Sequence, residues 1–310
     1  MAFVGKGKET LTDPYISVVV TTRNDNYGEN MRRRLDMFVQ GLDQCQQKYP
    51  GLFELVIVEW NPPTDQQPLS TIIPSCTDLP IRIITVPNEY HLRTGVRRPL
   101  AEFPAKNVGL RRSKGQFVLI SNPDILFSNN LVDHLAERNL TDGIVYRCDR
   151  YDFDGDGIES VQPSDYIRYA FQRIFQMHGM QDQQSITADI KMPTDQIPIS
   201  SYNEKTIHTN GAGDFMLISK TTAESVGGFY QGLACAGHHD SVSMLRFISR
   251  GVKQGIFKFP CFTLHQDHDR NMLPGAWDPA AVLETAQLAD EDLNWGFQDV
   301  EFEQWNNQQG

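Results

Sequence analysis

The sequence predicts an α/β fold with a mostly parallel central sheet flanked by helices. Apolar, β-branched runs occur at Ile16–Thr22, residues 52–60 and residues 80–86, and such continuous runs are typical of parallel strands buried on both faces. Residues 28–48, between the first two runs, carry apolar side chains at helical spacing. A fourth apolar run, Phe117–Ile120, ends in a polar turn. Because such strand–helix–strand units have one hand, we expect these runs to lie side by side.

The remaining elements are predicted from side-chain spacing and from turn residues. Residues 104–113 are expected to form a helix that Gly115 stops, and another helix is expected to start near Ser128 or Asn129. Residues 151–207 have the least regular pattern, apart from an amphipathic stretch at residues 165–177. The other predicted elements are strands at residues 143–148, 213–219 and 255–264 and a helix at residues 239–249.

The composition is that of an ordinary globular protein, with 40% hydrophobic and 22% charged residues. The formal net charge is −11 and the sequence pI is about 5.2. This balance argues against a nucleic-acid-binding function, because duplex binding needs a basic face. An anionic small ligand stays compatible with the charge if local cations or a metal receive it.

The five cysteines are odd in number and widely spaced, which argues against a disulfide framework and against structural zinc. No apolar run approaches the ~18 residues that a membrane span requires, so no integral membrane segment is expected. Residues 1–14 lack the apolar core of a signal peptide and are expected to be a loose leader. Together these features predict a cytoplasmic location.

The turn Ser121-Asn122-Pro123-Asp124 presents a carboxylate at the carboxyl end of a buried strand, because Pro123 prevents the strand from continuing regularly. Ligands of open α/β sheets bind at this edge, and hard divalent cations prefer carboxylate oxygens there. The alternative is an Asx-type turn in which Asp124 caps the following helix.

Six segments in a fixed order carry a resemblance to a known family. They are ISVVVTTRND from residue 16, ELVIVEWNPP from residue 54, AKNVGLRRSKGQFVLISNPD from residue 105, GAGDFMLISKTTAESVGGFY from residue 211, HHDSVSMLRF from residue 238 and LHQDH from residue 264. Over roughly residues 15–270 the chain resembles GT-A glycosyltransferases of the family 2-like group. The resemblance implies the Rossmann-like GT-A fold. It also implies inverting transfer of a sugar from a nucleoside diphosphate sugar, UDP favoured and GDP possible, to a hydroxyl of a glycan or other acceptor.

The resemblance also assigns residues to the nucleotide sugar. These are Thr21, Thr22, Arg23, Asp25, Glu59, Arg93, Arg97, Asn107, Asn122 and Asp124. Asn122 stands where the family's DxD motif usually begins with an acid, and it adds no charge. Each of these assignments has a simpler structural alternative. The Asn and Asp of the Thr21–Asp25 turn could cap a helix, Glu59 could lie at an exposed strand end, and the arginines could belong to a solvated basic loop.

For the metal, the resemblance implies Mn²⁺ or Mg²⁺ on Asp124, His265 and His268. For the acceptor it implies Gly213, Asp214 and His239, with Asp240 as the general base that deprotonates the acceptor hydroxyl. His239 replaces an acid of the family. The alternative to the metal site is that His265 and His268 are surface histidines. The alternative to the general base is that Asp240 is simply favoured at a helix N-terminus.

The predicted organisation is the leader at residues 1–14, a GT-A domain at 15–270 and a C-terminal extension at 271–310 packed on that domain. Within the domain, residues 15–125 form the nucleotide-binding half and residues 126–270 the smaller, mixed acceptor half. Two other functions stay open. One is a catalytically silent GT-A-like module that binds carbohydrate or a partner, and the other is another nucleotide-sugar enzyme such as a nucleotidyltransferase.

Overall fold

The computed structural model describes residues 13–76, 78–179, 183–185, 200–201, 207–232, 239–269 and 294–308, with the short pieces 183–185 and 200–201 described as backbone only. The first half of the chain alternates strands and helices. Its elements are β1 (Ile16–Thr22), α1 (Met31–Lys48), β2 (Phe53–Trp60), α2 (Leu69–Ile72), β3 (Ile81–Val86), α3 (Asn88–Arg93), α4 (Glu102–Arg112) and β4 (Phe117–Ile120).

The second half is mixed. Its elements are β5 (Ile125–Phe127), α5 (Asn129–Ala136), β6 (Ile144–Phe153), α6 (Tyr166–Phe171), β7 (Ile174–His178), β8 (Gln183–Ser185), β9 (Ser200–Ser201), β10 (Met216–Ser219), α7 (Lys220–Ser225), α8 (His239–Ser249), β11 (Lys253–Gln266) and β12 (Glu303–Asn306).

The described strands form one sheet in the order β12-β3-β2-β1-β4-β10-β6-β11-β5, with β7 and β8 extending from β6 and with β9 pairing β11. Strands β1 to β4 are parallel to one another. Strand β10 runs antiparallel to both neighbours, whereas β6 and β11 are parallel to each other. The predicted α/β class with a mostly parallel centre is therefore confirmed, and the mixed strands belong to the second half.

The sheet separates two apolar clusters, and β1 contributes to both. Val18 and Val20 pack with α1 on one face, whereas Val19 packs with α4 and α8 on the other. Helix α4 approaches β1 closely at Gly109, where an added Cβ would lie 2.4 Å from a methyl group of Val19. This close approach explains why α4 can deliver polar side chains directly to the carboxyl edge of the sheet.

Two sequence predictions in the second half need correction. The predicted strand at residues 143–148 continues to Phe153, so β6 is longer than expected. The amphipathic stretch at residues 165–177 forms two elements, α6 and β7, because the extended part of β6 offers an edge with which β7 pairs. The longer β6 also brings two charged side chains, Arg150 and Asp152, to the site described below.

The segment 294–308 lies against the first half of the chain, at β3 and α4. Strand β12 pairs antiparallel with β3, and the Arg112 guanidinium donates to the carbonyl oxygens of Gly296, Phe297 and Val300 at 2.6–3.0 Å. Arg111 stacks its guanidinium over the Trp295 ring. The remaining residues of the predicted extension lie outside the described ranges, and the domain boundaries stay a prediction. Among the described residues, no helix combines the length and apolar character that crossing a bilayer requires.

Candidate active site

Asp124 occupies the turn between β4 and β5, at the carboxyl edge of the sheet. Strand β5 pairs antiparallel with the end of β11, so that Ile125 lies opposite His265. The backbone N–H of Gln266 donates to the Asp124 carbonyl oxygen at 3.0 Å. This pairing joins the turn to a strand about 140 residues later and brings the Asp124 carboxylate to His265 near the end of β11 and to His268 just after it.

The Asp124 carboxylate is surrounded by groups that favour its ionised form. Its Oδ2 lies 3.2 Å from His268 Nε2, 3.7 Å from His265 Nε2 and 3.8 Å from Arg34 Nε. Burial alone would raise the pKa of Asp124, but His265, His268 and Arg34 together lower it to about 2. The second oxygen, Oδ1, is buried and accepts no hydrogen bond from the residues that the structure describes. A buried carboxylate oxygen of this kind is a favourable position for a bound cation.

The residues around Asp124 fit a divalent metal ion. One ligand atom from each of Asp124, His265 and His268 lies within 4.8 Å of the others. A carboxylate oxygen with two imidazole nitrogens is a donor set that suits Mn²⁺ and neighbouring transition metals better than Ca²⁺. The second such cluster among the described residues is Asp152, His265 and Asp267, which shares His265 with the first. The three predicted metal ligands thus lie together, and their role as ligands stays a prediction.

The position of His268 depends on the loop that precedes α1. Gly28 adopts φ of +65°, and a Cβ there would lie 2.3 Å from His268 Nδ1. The ring of Tyr27 makes an edge contact with the His268 ring at 5.5 Å between centroids. Arg34 fixes this loop, since its guanidinium donates to the carbonyl oxygens of Tyr27 and Gly28 at 2.6 and 3.1 Å.

Asn122 connects the Asp124 turn with Lys106 and with Asp214, a residue of the predicted acceptor half. Its side-chain oxygen accepts from Lys106 Nζ at 2.9 Å, and its side-chain nitrogen donates to Asp214 Oδ1 at 2.7 Å. The other oxygen of Asp214 accepts from Arg150 at 2.6 Å. Although burial raises the pKa of Asp214, Arg150 and His265 outweigh it and the pKa falls below the usual range. A neutral amide therefore lies between one ammonium and one carboxylate.

Asp240, the predicted general base, lies in the first turn of α8. Its two oxygens accept from the backbone N–H of Ser241 at 2.8 Å and of Gly213 at 3.1 Å. Burial and the nearby Glu102 carboxylate raise the pKa of Asp240, against the lowering effect of these two N–H groups. The pKa of Asp240 thus moves in the direction that suits a proton acceptor near neutral pH.

Three charged side chains meet at Gly213. A Cβ placed there would lie 3.6 Å from Glu102 Oε1 and 3.8 Å from both Asp240 Oδ2 and Lys106 Nζ. Lys106 is fully buried, donates to Glu102 and also donates to the Gly213 carbonyl oxygen at 3.1 Å. The predicted acceptor residues Gly213, Asp214 and Asp240 are therefore neighbours.

His239 is close to this group but faces another segment. Its Nε2 lies 2.9 Å from the carbonyl oxygen of Gly232, and its ring stacks on Phe103 at 5.9 Å. One nitrogen of His239 is thus engaged by the protein itself.

The predicted base and ribose contacts lie at the carboxyl ends of β1 and β2. Thr21 is buried and donates to the Val58 carbonyl oxygen at 3.2 Å, Thr22 is also buried, and Arg23 pairs with Asp25 at 3.2 Å. Glu59 is 1% exposed, so the alternative of an exposed strand end is wrong. Its carboxylate accepts from the backbone N–H of Leu69 at 2.9 Å, and burial raises its pKa.

Asn107 and Arg93, two further predicted donor residues, contact segments other than the Asp124 turn. Asn107 is fully buried and exchanges hydrogen bonds of 2.8 and 2.9 Å with the backbone of Phe229. Arg93 is exposed, stacks over Tyr90 and lines a cavity of about 340 Å³. Arg97 is exposed in the loop before α4. Their assignment to the nucleotide sugar stays a prediction.

Sequence reasoning missed Arg34, Lys106, Arg150 and Asp152 as parts of this site. The sequence pattern could have identified two of them. Arg34 lies beside Met31 and Leu35 in the apolar stripe of α1, and Lys106 lies between Phe103 and Leu110 in α4. A charge inside an apolar helical stripe is rarely left without a partner.

Comparison with known proteins shows the fold. No protein-family model and no curated protein matches this chain. It is similar to the crystal structure of S. aureus TarS 1–349 in complex with UDP-GlcNAc, at 12% identity and a TM-score of 0.51 over 87% of this chain and 64% of that one. A crystal structure of S. aureus TarS aligns at 13% identity and a TM-score of 0.48 over 81% of this chain and 36% of that one.

The chain spans less than two thirds of the length of these solved chains. At such low identity the likeness to the UDP-GlcNAc complex shows the fold alone. TarS is a GT-A-type glycosyltransferase, so the predicted GT-A fold is confirmed.

Proposed function

We propose that this protein is a metal-dependent glycosyltransferase that moves a sugar from a nucleoside diphosphate sugar to a hydroxyl of a glycan or other acceptor. The observation that carries the proposal is the unsatisfied Asp124 oxygen beside His265 and His268, at the ligand-binding edge of a GT-A sheet. UDP-GlcNAc is the donor to test first, because it is the compound bound in the TarS complex. A GDP-sugar is the second choice.

Asp124, His265 and His268 would hold Mn²⁺ or Mg²⁺. When bound, such an ion supplies Lewis-acid stabilisation of the charge on the leaving diphosphate. Asn122, fixed by Lys106 and Asp214, presents its amide between the two halves and orients the donor.

Asp240 takes the proton of the acceptor hydroxyl. The oxygen then attacks the sugar carbon from the side opposite the leaving diphosphate, so that the configuration inverts. The Gly213 and Ser241 N–H groups fix the direction of the Asp240 carboxylate, and its raised pKa makes it a stronger base than an exposed aspartate.

A cytoplasmic location and a role in glycan biosynthesis belong to the same proposal.

A thermal-shift panel of UDP- and GDP-sugars, each with and without Mn²⁺, tests donor binding, because a ligand of the folded state alone raises the melting temperature. We expect a Mn²⁺-dependent shift with one nucleotide, lost in Asp124→Asn and kept in the exposed control Asp65→Asn. No shift with any nucleotide sugar would contradict the proposal.

The second candidate is a catalytically silent GT-A-like module that binds sugar nucleotide or a partner. Two observations favour it, since the Nε2 of His239 lies against the Gly232 carbonyl oxygen and the Asn122 side chain is held by Lys106 and Asp214. Release of nucleoside diphosphate, measured with candidate acceptors, separates the two functions. Donor binding without any release of nucleoside diphosphate would favour the silent module.

A further inference from the structure

His265 lies between two carboxylates that face its two ring nitrogens. Nδ1 is 3.3 Å from Asp152 Oδ1, whereas Nε2 is 3.7 Å from Asp124 Oδ2. A neutral imidazole carries a proton on one nitrogen and a lone pair on the other. A metal ion beside Asp124 needs the lone pair on Nε2, and the proton must then lie on Nδ1. Asp152 is placed to accept the hydrogen bond from that proton.

Asp152 is itself held in place from two sides. It is 3% exposed, its Oδ1 lies 2.9 Å from Arg150 Nε, and its Oδ2 lies 3.0 Å from His178 Nε2. Arg150 is anchored in turn by Asp214 at 2.6 Å. The carboxylate is thus held in a fixed orientation from which it can accept a hydrogen bond from His265.

The same contacts argue against Asp152 as a direct ligand of a second ion. Asp152, His265 and Asp267 are close enough to form such a site. However, both Asp152 oxygens already face cationic or imidazole groups. The Arg150 guanidinium lies 2.9 Å from Asp152, much closer than the 3.8 Å between Arg34 and Asp124, and would repel a cation bound to Asp152 more strongly. Asp267 is exposed and would be the weak member of the group.

We propose that Asp152 is a positioning residue that fixes His265 with Nδ1 protonated and Nε2 directed at Asp124, so that the chain holds one divalent ion and not two. This inference rests on the metal site of the proposed function. Asp152 thereby positions His265, and Arg150 and His178 hold Asp152 in place. The family resemblance assigns none of these three residues a role.

The first test is Mn²⁺ binding, measured by electron paramagnetic resonance without donor or acceptor. We expect one ion per chain, affinity about 10- to 100-fold lower in Asp152→Asn, and affinity within about twofold of wild type in the matched control Asp267→Asn. Two ions per chain, with one lost in Asp267→Asn, would overturn the inference. So would unchanged affinity in a folded Asp152→Asn.

The second test does not depend on metal. The ¹⁵N shifts of ring-labelled histidine, recorded in alkaline buffer and assigned with His265→Gln, distinguish the two neutral tautomers. We expect Nδ1–H for His265 in the metal-free wild type and a mixture in Asp152→Asn. An Nε2–H tautomer in the wild type overturns the inference even if Asp152→Asn does not fold. If wild type binds no Mn²⁺ and yet shows Nδ1–H, the proposed function fails while the positioning role of Asp152 stands.

Discussion

Asp124 and Asp240 are connected through Asn122, Lys106 and Gly213, and the protein shifts their pKa values in opposite directions. Burial raises the pKa of both. Around Asp124, two imidazoles and a guanidinium reverse that effect and bring the pKa to about 2. Around Asp240, the Glu102 carboxylate adds to the effect of burial, and the Ser241 and Gly213 N–H groups and Arg147 do not outweigh them. The surrounding charges, more than burial, decide which aspartate stays ionised.

This difference separates two chemical tasks that one residue type performs. A permanently ionised carboxylate with an unsatisfied oxygen is suited to hold a cation. A carboxylate with a raised pKa is suited to accept a proton. The two are joined by Lys106 and Asn122, which connect Gly213 beside Asp240 with the turn that carries Asp124.

The largest expected effect is that of Asp240→Asn. An amide cannot accept the hydroxyl proton, so we expect kcat to fall by about 10²- to 10⁴-fold. Binding of Mn²⁺ and of the donor should stay unchanged, because the hydrogen bonds that the structure describes for Asp240 are to Ser241 and Gly213. Release of nucleoside diphosphate and donor affinity are the two measurements, with Asp65→Asn as control. Full turnover in Asp240→Asn would contradict the role of Asp240 as the general base.

Asp124→Asn is expected to act at the earlier step of metal binding. Losing the ionised oxygen should weaken Mn²⁺ affinity by about 100-fold or more, since such contacts are worth several kcal/mol. Calorimetric titration with Mn²⁺ measures this directly. An equal loss of Mn²⁺ affinity in Asp240→Asn would contradict the assignment of metal binding to Asp124 and of proton transfer to Asp240.

Gly28→Ala tests whether His268 belongs to the metal cluster. The new Cβ would lie 2.3 Å from His268 Nδ1, so the imidazole must move, and we expect Mn²⁺ affinity to fall by about 10-fold. Gly143→Ala is the matched control, because Gly143 has a similar φ of +75° and no atom within 4 Å of an added Cβ. If both variants lose stability equally and neither changes Mn²⁺ affinity, His268 is not a ligand.

The smallest expected effect is a change of pH profile in Glu102→Gln. Asp240 acts as a base only when ionised, so activity should fall as the pH falls through its raised pKa. Removing the Glu102 charge makes ionisation of Asp240 easier, and the acid limb of kcat/KM should move to lower pH. Glu89→Gln, an exposed change, is the control. A shift to higher pH would contradict the assignment of Asp240.

The strands β1 to β4 could be predicted because each is a continuous apolar run, and the position of Asp124 followed from Pro123. The contact between Asp124 and Arg34 could have been suspected from a charge in the apolar stripe of α1. The contacts of Asp152 with Arg150 and His265 could not be predicted, because the predicted strand ended at residue 148 and left Arg150 and Asp152 outside it. The parallel pairing of β6 with β11 spans more than 100 residues, and no local pattern fixes such a register.

The most direct test of the account is a crystal structure with Mn²⁺ and UDP-GlcNAc, with anomalous diffraction at the manganese edge. We predict a single anomalous peak bonded to Asp124, His265 and His268, with the diphosphate beside it and the sugar carbon turned towards Asp240. A peak between Asp152 and Asp267, or a diphosphate bound with no metal at Asp124, would contradict the account.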